Sequence, residues 1–273
     1  MKNRIHLTFC LIFVSILSHS QSPWVPSVNE GFLQFAYSGL FFDQVRYNNE
    51  LITPGRETVD QTYQAYLDFG LLPKLGIIAS IPFKFYSIDE GSGKFSGLGN
   101  VSLGLKYQLT NQNATTAIGL TYDVTSQNSD QQLGLRSGFD AHTVTPYFSI
   151  GSGTKKTYFY ANLGYGIRTN SYSDFLRVSG EFGYKIFKHA YLIGTIDLTN
   201  PTQKDSGFFI IDDPAFVASA SFLDRQSFNG AGIKFLYDFL PEKYGISLST
   251  IGALGSDNTP FSRSYNVGIY HKF

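Results

Sequence analysis

Few side chains in this chain are placed to do chemistry. The histidines are His6, His19, His142, His189 and His271, and only His142 has a hydroxyl and a carboxylate close by in sequence, Ser137 and Asp140. A nucleophile, a base and an orienting acid are the parts of acyl transfer. Yet no G-x-S-x-G elbow surrounds Ser137, and no H-x-x-x-H spacing offers a zinc site. His142 therefore reads as a loop histidine. Asp205, Asp212, Asp213 and Asp224 lack the spacing of a calcium loop and read as a solvated acidic face. GSGKFSGLG at 91–99 lacks the spacing of a phosphate cradle, and no helix follows it. The sequence points to no enzyme, and no cofactor or metal is expected.

The other candidates are charges set at alternate positions within apolar runs: Asp68, Lys84, Lys106, Asp123, Arg168, Arg177, Glu181, Lys185, Asp197, Lys234, Asp238 and Lys272. Alternation puts such residues on one face of a strand and the apolar ones on the other. The cleanest case is about Leu98 to Leu109, where Val101, Leu103, Leu105, Tyr107 and Leu109 oppose Ser102, Gly104, Lys106 and Gln108. The same pattern recurs at about 32–42, 58–70, 76–87, 114–125, 140–150, 157–168, 174–187, 190–199, 226–239, 243–254 and 263–273, with 140–150 the least regular. Helical periodicity is nearly absent. The reading is all-β, with about twelve strands.

The connections alternate in length. Short turns fall at 72–75, 110–113, 151–156, 188–189 and 240–242; between them lie mostly longer polar loops, at 43–59, 88–97, 126–139, 200–225 and 255–262. Short turns at one end and long loops at the other are the habit of outer-membrane barrels, and an even strand count puts both termini at the short-turn, periplasmic end. In hydrocarbon an unpaired backbone group costs several kcal/mol, so a membrane sheet must close on itself. A closed antiparallel transmembrane β-barrel of about twelve strands is therefore expected. The apolar segment GFFIIDDPAFVASASFL at 207–223 is read as a plug, a loop or an extra hairpin that would raise the count to fourteen. A secreted β-sandwich is the competing architecture, although it has no need of the loop rhythm.

Composition agrees with a barrel. Charged residues make up only 15% of the chain and aromatics 16%, and the mean hydropathy of −0.08 is what alternating faces average to. A pI near 7.0 lacks the basic footprint of a nucleic-acid binder. Lys2 and Arg4 precede an apolar stretch from Leu7 to Leu17 and then Ser18-His19-Ser20, the layout of an export signal cleaved before Gln21. The domains read as a signal at 1–20 and a barrel at 21–273. Without residues 1–20 the chain has 19 basic against 21 acidic residues and loses its single Cys, so no disulfide braces it.

Two stretches carry a resemblance. LDFGLLPKLGIIASIPFKF, followed by GLGNVSLGLKYQL at 97–109, is similar to the outer-membrane family named for the meta-pathway of phenol degradation. In that family a strand, a tight turn and an I/L-P strand lead into a strand of the form GLGDVxLGLKYxL. GALGSDNTPFSRSYNVGIYHKF at 252–273 resembles its ending, and Asn100 stands where the family more usually has an acid. Between about 125 and 240 the similarity is weak. The resemblance implies a transporter-like barrel in the outer membrane of a Gram-negative cell.

With the polar faces inward, seven basic and five acidic groups enter a narrow lumen also holding Tyr66, Tyr86, Tyr147 and Tyr270. They either pair and block it or line a wet path for a solute. The expected function is a channel for small, hydrophobic or aromatic solutes, with Lys84, Lys106, Asp123, Arg168, Arg177, Glu181, Lys185, Lys234 and Asp238 as lining residues. A structural or surface-interaction barrel with an occluded lumen is the alternative. Expected partners are outer-membrane lipid and the barrel-assembly machinery, which reads Tyr265-x-Val267-x-Ile269-x-x-x-Phe273 at the end of the chain.

Overall fold

A strand with one apolar and one polar face must hide one of them, and the chain solves this by rolling its strands into a ring. The computed structural model describes residues 22–47, 50–53, 56–89, 93–126, 128–130, 133–203, 222–241 and 243–273. The export signal read at 1–20, and all but the end of the apolar segment at 207–223, lie outside the described residues. The ring strands are β1 Gly31–Phe42, β2 Thr58–Leu72, β3 Leu75–Ile88, β4 Ser102–Asn111, β5 Thr115–Asp123, β6 Thr143–Gly153, β7 Thr157–Arg168, β8 Phe175–Phe187, β9 Ala190–Pro201, β10 Ser227–Leu240, β11 Tyr244–Asp257 and β12 Arg263–Lys272.

These twelve and the short strand Gly93–Leu98 make one sheet of thirteen. It closes because β1 pairs antiparallel with β2 along one side and with β12 along the other. Outward stand Phe35, Leu103, Phe182 and Ile269, each more than half exposed, while Tyr66, Ser80, Lys106, Ser149 and Tyr270 are buried inside. A sandwich would pack its apolar faces together. Here they form the outer surface, which in water would cost about 25 cal/mol per Å² and in hydrocarbon does not.

The fourth expected strand, 98–109, is interrupted. Ser80 lies opposite Ser102 and Phe83 opposite Leu98, so Ile81 and Pro82 face the three residues Gly99, Asn100 and Val101. That is a bulge, placed where Pro82 has no N–H to give; its carbonyl still accepts from Gly99 N at 2.8 Å. Above it the β4–β5 ladder stops, and the Asn100 side chain replaces it. Nδ2 donates to the Val124 and Phe139 carbonyls at 2.9 and 2.8 Å, and Oδ1 accepts from Phe139 N at 2.7 Å. An aspartate has no hydrogens for those two carbonyls, which gives the departure from the usual acid a physical reason. Asn100→Asp is expected to lower stability by about 3 kcal/mol, read as a lower urea midpoint of the detergent-folded protein.

The sixth strand begins three residues later than the sequence pattern placed it, at Thr143 rather than Asp140. Side chains take the backbone groups before it. His142 N donates to Thr169 Oγ1 at 2.9 Å, and Asn170 Nδ2 donates to the Asp140 carbonyl at 2.7 Å. At the long-loop end Val45–Tyr47, Glu50–Ile52 and Thr259–Pro260 form a rim sheet. Two small apolar cores sit there, Phe42 with Val45 and Leu223, and Tyr86 with Ile88 and Leu135. Phe222 packs on the second core and edge-on to Phe139, so loop residues cap this end of the lumen.

Candidate functional site: the barrel lumen

Inward side chains come from every second residue of each strand, so sequence sets their height in the lumen and register sets their partners. Lys84 meets Asp60 at 2.8 Å, and Arg177 Nε meets Asp197 Oδ1 at 3.0 Å. Both pairs join adjacent strands diagonally, since Asp60 lies opposite Tyr86 and Arg177 opposite Thr199. Lys106 with Asp68 (2.6 Å), Lys234 with Glu181, and Lys272 with Asp238 (2.9 Å) instead reach over an intervening strand. Two inward glycines leave room for this reach. A Cβ on Gly76 would lie 3.2 Å from Lys106 Cε, and one on Gly245 2.3 Å from the Tyr270 ring, whose hydroxyl donates to Asp238 at 2.7 Å.

Arg168, Asp123 and Lys185 form no ion pair among the described residues. The Arg168 guanidinium lies between the Phe139 and Phe175 rings, 4.3 and 4.4 Å from their centroids. Asp123 ends β5, opposite Ser102 on one side and Thr143 on the other, and Lys185 Nζ stands 5.4 Å from the Tyr191 ring near the short-turn mouth. Ser137 and His142 do not meet. Ser137 Oγ donates to the Leu98 carbonyl at 2.7 Å, whereas His142 stacks on Tyr122 with 2.8 Å between Nδ1 and the hydroxyl.

Residues 22–30, before β1, form a strap across the lumen at the short-turn end. Lys106 Nζ donates to the Trp24 carbonyl at 2.7 Å, and Val25 N donates to Gln108 Oε1 at 3.2 Å. The Trp24 indole lies edge-on to Tyr158 and Tyr160, each 6.2 Å between centroids. Gly70 makes the close approach feasible, because a Cβ there would fall 2.2 Å from the Ser27 carbonyl oxygen. On the other side of Gly70, Asn29 N and the Glu30 carbonyl hydrogen-bond its backbone at 2.9 Å each. So one ammonium joins the wall carboxylate of Asp68 to the backbone of the strap.

Beside the strap is a cavity of about 680 Å³. Trp24, Phe32, Tyr66, Tyr158 and Tyr160 give it ring surfaces, and Gln34, Ser247, Ser249 and Asn266 give it hydrogen-bonding groups. The Glu181–Lys234 pair lies on its wall, and the turn residues Asn111, Asn113 and Gly153 edge it at the short-turn end. A volume of this size suits one drug-sized molecule.

The chain is thus an up-and-down antiparallel barrel, apolar outside, polar inside, with a strapped lumen. Solved structures of the same architecture include an outer membrane channel from Pseudomonas putida F1, 14% identical, which aligns over 92% of this chain and 97% of its own with a TM-score of 0.70. The NanC porin, 12% identical, aligns over 88% of this chain and all of its own with a TM-score of 0.53. At such identities the likeness establishes the fold. No family model matches the chain, and no curated protein matches it.

Proposed function

We propose that this chain is an outer-membrane channel for small solutes, with the short-turn end facing the periplasm and residues 22–30 holding the resting lumen shut. The observation that carries this reading is the strap itself. A structural barrel gains nothing from a cavity beside a plug held at few polar points, whereas a gated path needs both. The likeness to a solved outer membrane channel supports it, as does the similarity of residues 67–109 to the meta-pathway family. The ring surfaces, with amide and hydroxyl groups opposite, suit small aromatic solutes carrying a polar substituent. An export signal at 1–20 fits the same location. A structural barrel with an occluded lumen is the second reading, favoured by the loop cap at the far end.

Planar-bilayer recording of the refolded protein, with heat-modifiable gel mobility as the folding control, separates the two. Brief conducting steps on a mostly closed baseline are expected of the channel. Heat-modifiable protein that never conducts, even after the strap has been released by substitution, would leave the structural reading.

We also propose that the closing strand is read by the barrel-assembly machinery through Phe273. Its ring stacks on Phe69 at 6.2 Å, and its backbone exchanges hydrogen bonds with Gly31 at 2.7 and 3.0 Å. Phe273→Ser is expected to cut the heat-modifiable form in cells to a minor fraction while leaving detergent refolding largely intact. Equal levels in cells would remove this role.

A further inference from the structure

The short-turn end carries an unbalanced charge. Lys74 sits in the turn between β2 and β3, Lys155 and Lys156 between β6 and β7, Lys188 between β8 and β9, and Lys243 between β10 and β11. All five are exposed, and among the described residues none forms an ion pair. Just inside the same rim, Lys185 faces a tyrosine ring, and Lys272 is matched by Asp238. Glu30 is the opposing charge described there, and in sequence Glu242 directly precedes Lys243, so five lysines are set against two carboxylates. Residues 21–273 together carry 19 basic and 21 acidic groups, so the excess acid lies elsewhere. At the long-loop end acid outnumbers base only modestly, because Arg46, Arg56, Lys94, Arg136, Arg225 and Arg263 stand among its carboxylates and Arg56 pairs with Asp89 at 3.9 Å.

Two features say what the lysines face. They are spread around the ring, in four of its five short turns, rather than gathered on one side as a protein-docking patch would be. Next to them on the outer wall is a band of exposed rings, Tyr107, Phe187, Phe239, Tyr244 and Phe273, with Tyr244 stacked on His271 at 4.4 Å. Aromatic bands mark where hydrocarbon gives way to headgroups, and lysine stems lie along such a boundary while the ammonium seeks phosphate. We propose that this rim binds the anionic phospholipids of the leaflet it faces, phosphatidylglycerol-type headgroups held by the turn lysines. The inference rests on the reading of the barrel as a membrane protein.

A lysine near a membrane surface is worth about a fivefold preference for anionic lipid, and the effect is screened within about 10 Å at 0.1 M salt. The test places the purified, refolded protein in equimolar phosphatidylcholine and phosphatidylglycerol vesicles. Spin-labelled versions of the two lipids then report the motionally restricted shell by electron paramagnetic resonance. Wild type is expected to enrich the phosphatidylglycerol label about fivefold or more, with the preference weakening in high salt. The variant with Lys74, Lys155, Lys156, Lys188 and Lys243 all changed to Gln is expected to show none, with heat-modifiable mobility unchanged. Equal preference in wild type and variant, or none in wild type, overturns the proposal. So does retention on immobilised polyglutamate by inserted wild type that shows no lipid preference, which would assign the rim to an acidic protein. Failure of wild type to insert into any vesicle overturns the membrane reading as well.

Discussion

The double variant K106M/D68N is expected to raise the ratio of open to closed channel by about tenfold to a hundredfold, measured as open probability in planar bilayers. Lys106 donates a charged hydrogen bond to the Trp24 carbonyl at 2.7 Å, and such a bond contributes about 1.5–3 kcal/mol. Each 1.4 kcal/mol removed from the closed state shifts the equilibrium about tenfold. The two residues change together because methionine alone at 106 would strand the Asp68 carboxylate, which is 6% exposed, at a cost of about 3–5 kcal/mol. Residue 24 is the only tryptophan in the chain, so its emission reports the strap directly. Release should move the emission to longer wavelength and open it to acrylamide, while the barrel keeps its heat-modifiable mobility. Unchanged open probability with unchanged emission would mean that Lys106 braces the wall and does not hold the strap.

How much of this was legible beforehand depends on whether a feature is local. Face and strand are local: the parity of Val101 to Leu109 alone puts Lys106 inside and Tyr107 outside, as found. Asp60 falls in the strand expected at 58–70 and belongs to the inward series of Gln64, Tyr66 and Asp68 by the same parity, yet it is missing from the charges read at alternate positions, and only the register makes it the partner of Lys84. Partners are not local. Lys106 finds Asp68 over β3, and Lys272 finds Asp238 over β11, so each pairing needs two registers and a small residue on the strand between. The bulge at Gly99–Val101 was half legible, since Pro82 and the glycines around Asn100 were plain, but the three-against-two count that joins them needs the pairing of Phe83 with Leu98.

The strap was not legible at all. Residues 22–30 have no periodicity, and Pro23 and Pro26 break any local pattern that could have placed them. Their place in the lumen follows from features far off in sequence: the backbone of Gly70, the Gln108 amide and the rings of Tyr158 and Tyr160. Gly70 itself lies opposite another glycine, Gly76, and its lack of a side chain gains meaning only after the barrel is closed and the strap is in place.

That glycine supplies the second large effect, one that leaves every charge in place. Gly70→Ala is expected to unseat the strap. The added Cβ would lie 2.2 Å from the Ser27 carbonyl oxygen and 2.3 Å from that of Pro26. Both contacts are backbone, and the strap must leave the wall because no side chain there can swing aside. The hydrogen bonds of Asn29 N and the Glu30 carbonyl to Gly70 lie past the clash, where they can still tether the base of a released strap. Open probability should therefore rise by at least as much as in K106M/D68N, with the same red shift of Trp24 emission and with Lys106 and Asp68 intact. Gly194→Ala is the matched control, because a Cβ there meets nothing within 4 Å, and it should record like wild type. If G70A lowered the urea midpoint and left Trp24 emission and gating unchanged, the glycine would serve strand packing alone, and the strap would have to be held by Lys106 and the rings around Trp24.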